Sequence, residues 1–227
     1  LYDAKGKELA YADHWRFHPD PVLSCEMPED GQYVLEIRDS IYRGRDDFVY
    51  RIAIGELPVV TSVFPLGGRV RESTRVELTG WNLPAAGLKQ DVEQKKPGVY
   101  PISVVQKSYV SNRVPFAVDS LPECLEKEPN DEQPKAQTVE LPIIVNGRID
   151  RPNDGDVFAF DGHAGEEIVA EVYARRLDSP VDSVLRLTDG AGRQLAINDD
   201  HEDKGAGLMT HHADSWLRAK LPADGTY

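Results

Sequence analysis

The chain has 227 residues, with 39 Asp and Glu against 26 Lys and Arg, for a formal net charge of −13. That balance argues against a nucleic-acid binder, which needs a basic face, and against docking on anionic membranes. With 40% hydrophobic and 29% charged residues the chain is globular material, and its apolar runs fall far short of the ~20 residues that a membrane span needs.

Taken in order, the segments read as short strands separated by turns. Turn clusters at 3–6 and 29–31 frame a first stretch in which Leu23, Cys25 and Met27 share one strand face. The alternation predicts Cys25 to be a small buried thiol. Trp15, Arg16 and Phe17 sit in a loop, where an aromatic beside an Arg can stack on a sugar or grip a peptide. Runs rich in Val, Ile, Tyr and Phe predict strands at 34–37, 49–54, 75–79, 100–105, 114–118, 157–160, 168–174, 184–187 and 216–221. Gly67-Gly68, 153–156, 189–192 and Asp224-Gly225 read as turns. Cys124 falls in a linker-like stretch, and its spacing from Cys25 does not require a disulfide. No amphipathic pattern longer than two helical turns stands out. The expectation is an all-β protein built of sandwiches or jelly rolls.

The chain also repeats itself. Leu1-Tyr-Asp-Ala-Lys-Gly-Lys-Glu-Leu-Ala10 matches Leu187-Thr-Asp-Gly-Ala-Gly-Arg-Gln-Leu-Ala196, and Pro28-Glu-Asp-Gly-Gln-Tyr33 matches Pro222-Ala-Asp-Gly-Thr-Tyr227. With Asp13, Asp20 and Leu23 against Asp199, Asp214 and Leu217, twelve positions are identical. The copies are cut differently: one continues past Tyr33, the other has about 60 residues ahead of Leu187 with no counterpart. The expected organisation is therefore the C-terminal part of one module at 1–56, a small domain at 57–120, and the N-terminal part of a second module at 121–227. Such a chain reads as a piece of a larger modular protein. The second module lacks the strand pair that residues 33–54 form in the first, so two alternatives stand: the piece is cut from an intact longer chain, or 33–54 complete the second module by strand complementation within or between molecules.

The one sharp chemical pattern is acidic. Glu126, Glu128 and Asn130 recur at period two, and Pro129 biases Glu128 to extended backbone, so an extended chain would put all three on one face. Asp131 follows, and Asn153, Asp154 and Asp156 add oxygens on a turn. Residues 119–166 hold 12 acidic and 4 basic side chains, a net of −8 within the total of −13. Calcium takes six to eight oxygen ligands and would relieve that repulsion; a solvated acidic linker is the plainer alternative. An EF-hand is excluded, since Pro152 and Asp161 fall at the third and twelfth positions of the only comparable stretch. A second cluster, Asp199, Asp200, His201, His211, His212 and Asp214, matches no zinc spacing and surrounds a Gly-rich loop at 204–207. Asp13 and Asp199 are expected to close turns. No Gly-x-Ser-x-Gly elbow, His-Glu-x-x-His pair or phosphate loop is present, so catalysis is not expected of this chain.

Read together, Glu126-Lys-Glu-Pro-Asn-Asp131, Val145-Asn-Gly-Arg-Ile149, Asp154-Gly-Asp-Val-Phe-Ala-Phe160, Leu195-Ala-Ile-Asn-Asp-Asp200 and Leu221-Pro-Ala-Asp-Gly-Thr-Tyr227 resemble the bacterial pre-peptidase C-terminal domain family. Residues 58–65, the Thr79-Gly80-Trp81-Asn82 turn and 111–118 resemble a short immunoglobulin-like domain of the IPT/TIG type. The first resemblance implies a jelly-roll-like sandwich found in secreted bacterial proteins, often beside proteases. It also implies a calcium site at Glu126, Glu128, Asn130, Asp131 and Asp156, with Asn153 in a place usually acidic and Arg148 offering only its carbonyl. The alternation of modules resembles large exported proteins of planctomycete-type bacteria. The implied function is a non-catalytic, calcium-stabilised spacer or binding segment of an exported protein, placed outside the cell, on its surface or in the periplasm. The alternatives are adhesion to an extracellular protein or polysaccharide, and an accessory region of a secreted hydrolase.

Overall fold

The computed structural model describes residues 1–85, 88–202 and 211–227, and of His211 and His212 only the backbone. Among these residues there is no α-helix; helical geometry is limited to single 3-10 turns such as Gln133–Lys135 and Arg175–Leu177. The protein is all-β, as the short alternating runs require. It divides into two compact units, Leu1–Glu56 and Leu57–Tyr227.

The first half of the larger unit is a sandwich of two three-stranded sheets. Val59–Phe64 pairs antiparallel with Thr74–Trp81, which pairs in turn with Lys89–Val92. Facing them, Val114–Asp119 runs antiparallel to Gly98–Ile102 and parallel to Gly67–Arg69. Gly67-Gly68 is therefore a strand edge and not the expected turn, because the backbone there is taken up by the ladder with Ala117 and Val118. The alternation in Val114–Asp119 puts Val114, Phe116 and Val118 on one face, where they join Val60, Val63, Val76, Leu78, Ile102 and Val104 in one core. Phe116 is 1% exposed at its centre.

The second half carries a separate core of Leu187, Leu217, Leu221 and Tyr227, packed by Phe160, Ile168 and Leu195. Its longest ladders are Glu167–Glu171 with Trp216–Lys220 and Leu185–Thr188 with Gln194–Asn198. Phe160 and Tyr227 exchange backbone hydrogen bonds of 3.0 and 2.9 Å, and their rings stack at 6.1 Å. Two short parallel pairings organise the entry to this half: Glu123–Leu125 with Ile144–Asn146, and Gln137–Thr138 with Phe158–Ala159. Cys124 thus lies on a strand, not in a linker, and both cysteines are free thiols.

In the smaller unit, Tyr2–Asp3 pairs with Tyr33–Val34. The expected strands at 34–37 and 49–54 are not formed beyond Val34. Val49, Tyr50 and Ile54 are among its most exposed side chains. Alternation supplies one face of a strand, but a ladder also needs a neighbour's N–H and C=O groups. Leu23 to Met27 forms no strand either, which leaves Cys25 half-buried and Met27 exposed.

The repeat is visible as local structure. Asp3 Oδ1 accepts from the N–H groups of Lys5 and Lys7 at 2.8 and 2.9 Å. Its counterpart Asp189 Oδ1 accepts from Ala191 and Arg193 at 3.0 and 2.9 Å. Gly6 and Gly192 take φ of 80° and 79° at the same place in each turn, a left-handed value that glycine adopts without cost. At the other end, the Tyr33 hydroxyl donates to the Glu29 carbonyl and the Tyr227 hydroxyl to the Ala223 carbonyl. Asp3 and Asp189 thus close the turns expected at 3–6 and 189–192; Asp13, expected to close a turn of its own, contacts the His14 ring at 2.6 Å.

Candidate metal centre

Three segments converge on one acidic cluster. The parallel pairing that ends at Leu125 and Asn146 is extended by a hydrogen bond from the Glu126 N–H to the Asn146 carbonyl. Glu126 is thereby carried alongside Gly147 and Arg148, and Arg148 N–H donates to Glu126 Oε1 at 2.7 Å. A bond from the Val157 N–H to the Asn130 carbonyl, 3.0 Å, brings Asp156 to the same place. The Glu128 carboxylate turns back to accept from the Asn130 N–H at 3.1 Å. Glu126, Glu128 and Asp156 each offer an oxygen within 4.8 Å of the others. Residues 126–131 lie outside any strand, because their backbone bonds go to side chains and to single carbonyls instead of a ladder.

The interior of this cluster is short of partners. Asn130 is 0% exposed, and neither its side-chain nitrogen nor its oxygen has a hydrogen-bond partner. Glu126 Oε2 and Asp156 Oδ1 are likewise buried and unpartnered. Buried polar groups without partners cost roughly 1–3 kcal/mol each, so the three orphaned oxygens call for a ligand and the Asn130 amide nitrogen for an acceptor. Burial pushes the Glu126 carboxyl up to about 7, with Asp156 and Glu128 adding repulsion. Burial also raises Asp156, with Asp154, Glu128 and Asp131 as further causes. Gly147 is what allows the approach: a Cβ there would lie 2.5 Å from Glu126 Oε2 and 3.2 Å from Asp156 Oδ2.

Asp131 belongs to a neighbouring group. Its Oδ1 lies 2.6 Å from Arg151 Nη2, and the guanidinium holds the Asp131 carboxyl below the usual range. The same Nη2 lies 3.4 Å from Asp154, whose side chain is 1% exposed and whose Oδ2 accepts from the Asp150 N–H. Asn153 is exposed at the left-handed corner of this turn, φ 65°, one residue before Asp154 donates back to the Arg151 carbonyl. Arg148 sends its side chain away from the cluster: its guanidinium carbon sits 3.7 Å from the centre of the Phe64 ring, with Glu77 at 3.6 Å.

The other candidates fall elsewhere. Trp15 and His18 close a tight turn in the smaller unit with two backbone bonds, and Arg16 lies over the Trp15 ring at 5.3 Å, while Phe17 is exposed. Asp199 and Asp200 gather with Asp182 on the surface. His201 packs against Trp216 at 5.4 Å. The loop at 204–207 and the His211 and His212 side chains lie outside the described residues. Asp214 leaves that group altogether. It is fully buried and accepts from the N–H groups of Ala174, Arg175 and Arg176 and from Arg176 Nε. Spacing alone gave no sign of Gly147, Arg151 or this use of Asp214; Gly147 within Asn146-Gly147-Arg148 was the nearest thing to a signal.

The oxygens of Glu126, Glu128 and Asp156, with the neighbouring Asn130 Oδ1, suit a hard cation, and among the described residues no His or Cys joins the carboxylate cluster. Among the described residues no helix is long and apolar enough to cross a membrane. No family model matches the chain and no solved structure matches it. A probable subtilase-type serine protease of Deinococcus radiodurans is 39% identical over 107 residues, 44% of this chain. The chain spans 13% of the length of that relative, so what is shared is a minor portion of a protease-type protein.

Proposed function

We propose that the chain is a non-catalytic accessory segment of an exported, subtilase-type protein, stabilised by a calcium ion held by Glu126, Glu128, Asn130 and Asp156. The pre-peptidase C-terminal resemblance of 121–227, the immunoglobulin-like resemblance of 57–120 and the partial similarity to a protease support the accessory role. The observation that carries the metal is the Asn130 side chain, fully buried with both polar atoms unpartnered beside two further orphaned carboxylate oxygens. A calcium ion supplies the charge and the coordination that Asn130 Oδ1, Glu126 Oε2 and Asp156 Oδ1 lack. It would tie 126–131 to 147–156 and so fix the entry to the second sandwich; it performs no reaction.

The test is thermal unfolding of the full chain, stripped with chelator and then titrated with calcium. Binding at a hundredfold excess over Kd adds about 2.7 kcal/mol, a rise of roughly 5–10 °C for a unit of this size. The rise should disappear in Glu128→Ala and in Asp156→Asn. No shift at millimolar calcium, or an undiminished shift in both variants, overturns the reading.

A further inference from the structure

Five carboxylates surround this site, and among the described residues one basic side chain, Arg151, is paired with them. Glu126, Glu128 and Asp156 form one subgroup within 4.8 Å; Asp131 and Asp154 form the other, bridged by Arg151 Nη2 at 2.6 and 3.4 Å. The subgroups are not electrostatically separate. Asp154, Asp131 and Glu128 all act on Asp156, and Glu128 acts on Arg151 as well. Asp154 has a side chain 1% exposed to water, and among the described residues this guanidinium is the opposite charge within salt-bridge reach. A buried carboxylate without a counter-charge is costly, so Arg151 does for Asp131 and Asp154 what a solvent ion would do for the other three.

Resting on the calcium reading above, we propose that Arg151 is a built-in cation that limits how much positive charge the site takes from solution, holding it to one divalent ion. The bridge is monodentate on each carboxylate and its side chain is exposed over most of its surface, so it is a replaceable occupant and not a packed core residue. Removing it leaves five carboxylates around one divalent ion, with Asp131 and Asp154 free to bind another.

The experiment is calcium titration by calorimetry of the stripped full chain and its variants at low salt, with stoichiometry checked by equilibrium dialysis. The wild-type chain is expected to bind one ion. Arg151→Gln is expected to bind two, or one ion more tightly by on the order of tenfold. Arg151→Lys keeps the charge and should stay at one. A Kd within about threefold of wild type at unchanged stoichiometry in Arg151→Gln, or weaker binding in a variant whose unfolding shows it folded, overturns the role of Arg151 and leaves the calcium reading standing. A wild-type chain that binds nothing overturns the calcium reading; uptake restored by Arg151→Gln would then still support Arg151 as the resident cation, and no uptake in either would end both.

Discussion

Arg148 stacks its guanidinium on the Phe64 ring at 3.7 Å while its own backbone N–H holds Glu126 Oε1 at 2.7 Å. One residue thus touches the first sandwich with its side chain and the acidic cluster with its main chain. Removing the side chain by Arg148→Ala should cost about 1 kcal/mol in urea unfolding, the worth of a cation–π contact at a partly exposed site. Glu77→Gln should cost less than about 1 kcal/mol, since its pairs with Lys89 at 2.9 Å and Arg148 at 3.6 Å are both exposed and screened. Calcium affinity should be unchanged in Arg148→Ala, because the backbone bond survives; a large loss would mean that the side chain acts on the cluster directly.

Gly147 offers a cleaner test of the cluster than any ligand substitution. Its missing Cβ faces Glu126 Oε2 and Asp156 Oδ2, so Gly147→Ala should weaken calcium uptake at least tenfold, a loss of about 1.4 kcal/mol. Gly155→Ala, where a Cβ meets nothing, is the matched control and should bind as wild type. Equal behaviour of the two would remove Gly147 from the site.

Asp214 sets an acid limit on the second sandwich. Burial opposes its ionisation, but Arg176 and the three N–H groups outweigh it and hold its carboxyl below the ordinary range. With the folded value below the unfolded one of about 3.9, its contribution is complete above that pH and is lost as pH falls through the folded value. Thermal unfolding between pH 6 and 2.5 should show this as a falling midpoint. Asp214→Asn should cost about 1–3 kcal/mol at neutral pH, since three amides and Arg176 lose a buried carboxylate while Arg176 keeps Glu171 at 2.8 Å, and should flatten the acid limb.

The first sandwich should fail at Phe116. Phe116→Ala leaves a cavity among Val60, Val76 and Val118 and should cost about 3–5 kcal/mol in urea unfolding. Phe17→Ala, on an exposed loop, should change stability by less than about 0.5 kcal/mol.

How much of this could be read in advance differs by region for physical reasons. Strands such as Thr74–Trp81 and Val114–Asp119 announce themselves because one face is buried and the pattern has period two. Residues 49–54 carry the same pattern and form no strand, since alternation says nothing about a partner edge. Glu126, Glu128 and Asp156 were visible as spaced carboxylates, and the 4.8 Å gathering follows from two backbone bonds, Glu126 to Asn146 and Val157 to Asn130. The capture of Asp131 and Asp154 by Arg151 was not visible. It depends on where a turn throws a long flexible side chain. Asp214 looked like a surface acid among histidines, and only the fold shows three amides pointing at it.

The twin turns at Asp3 and Asp189 give the molecule an internal reference. The same peptide geometry, with matching amide bonds and a glycine near φ 80°, occurs in both units. Amide hydrogen exchange at Lys7 and Arg193 therefore compares one local motif in two surroundings within a single sample. Any difference in protection measures what each surrounding adds to the turn, with sequence-local propensity cancelled.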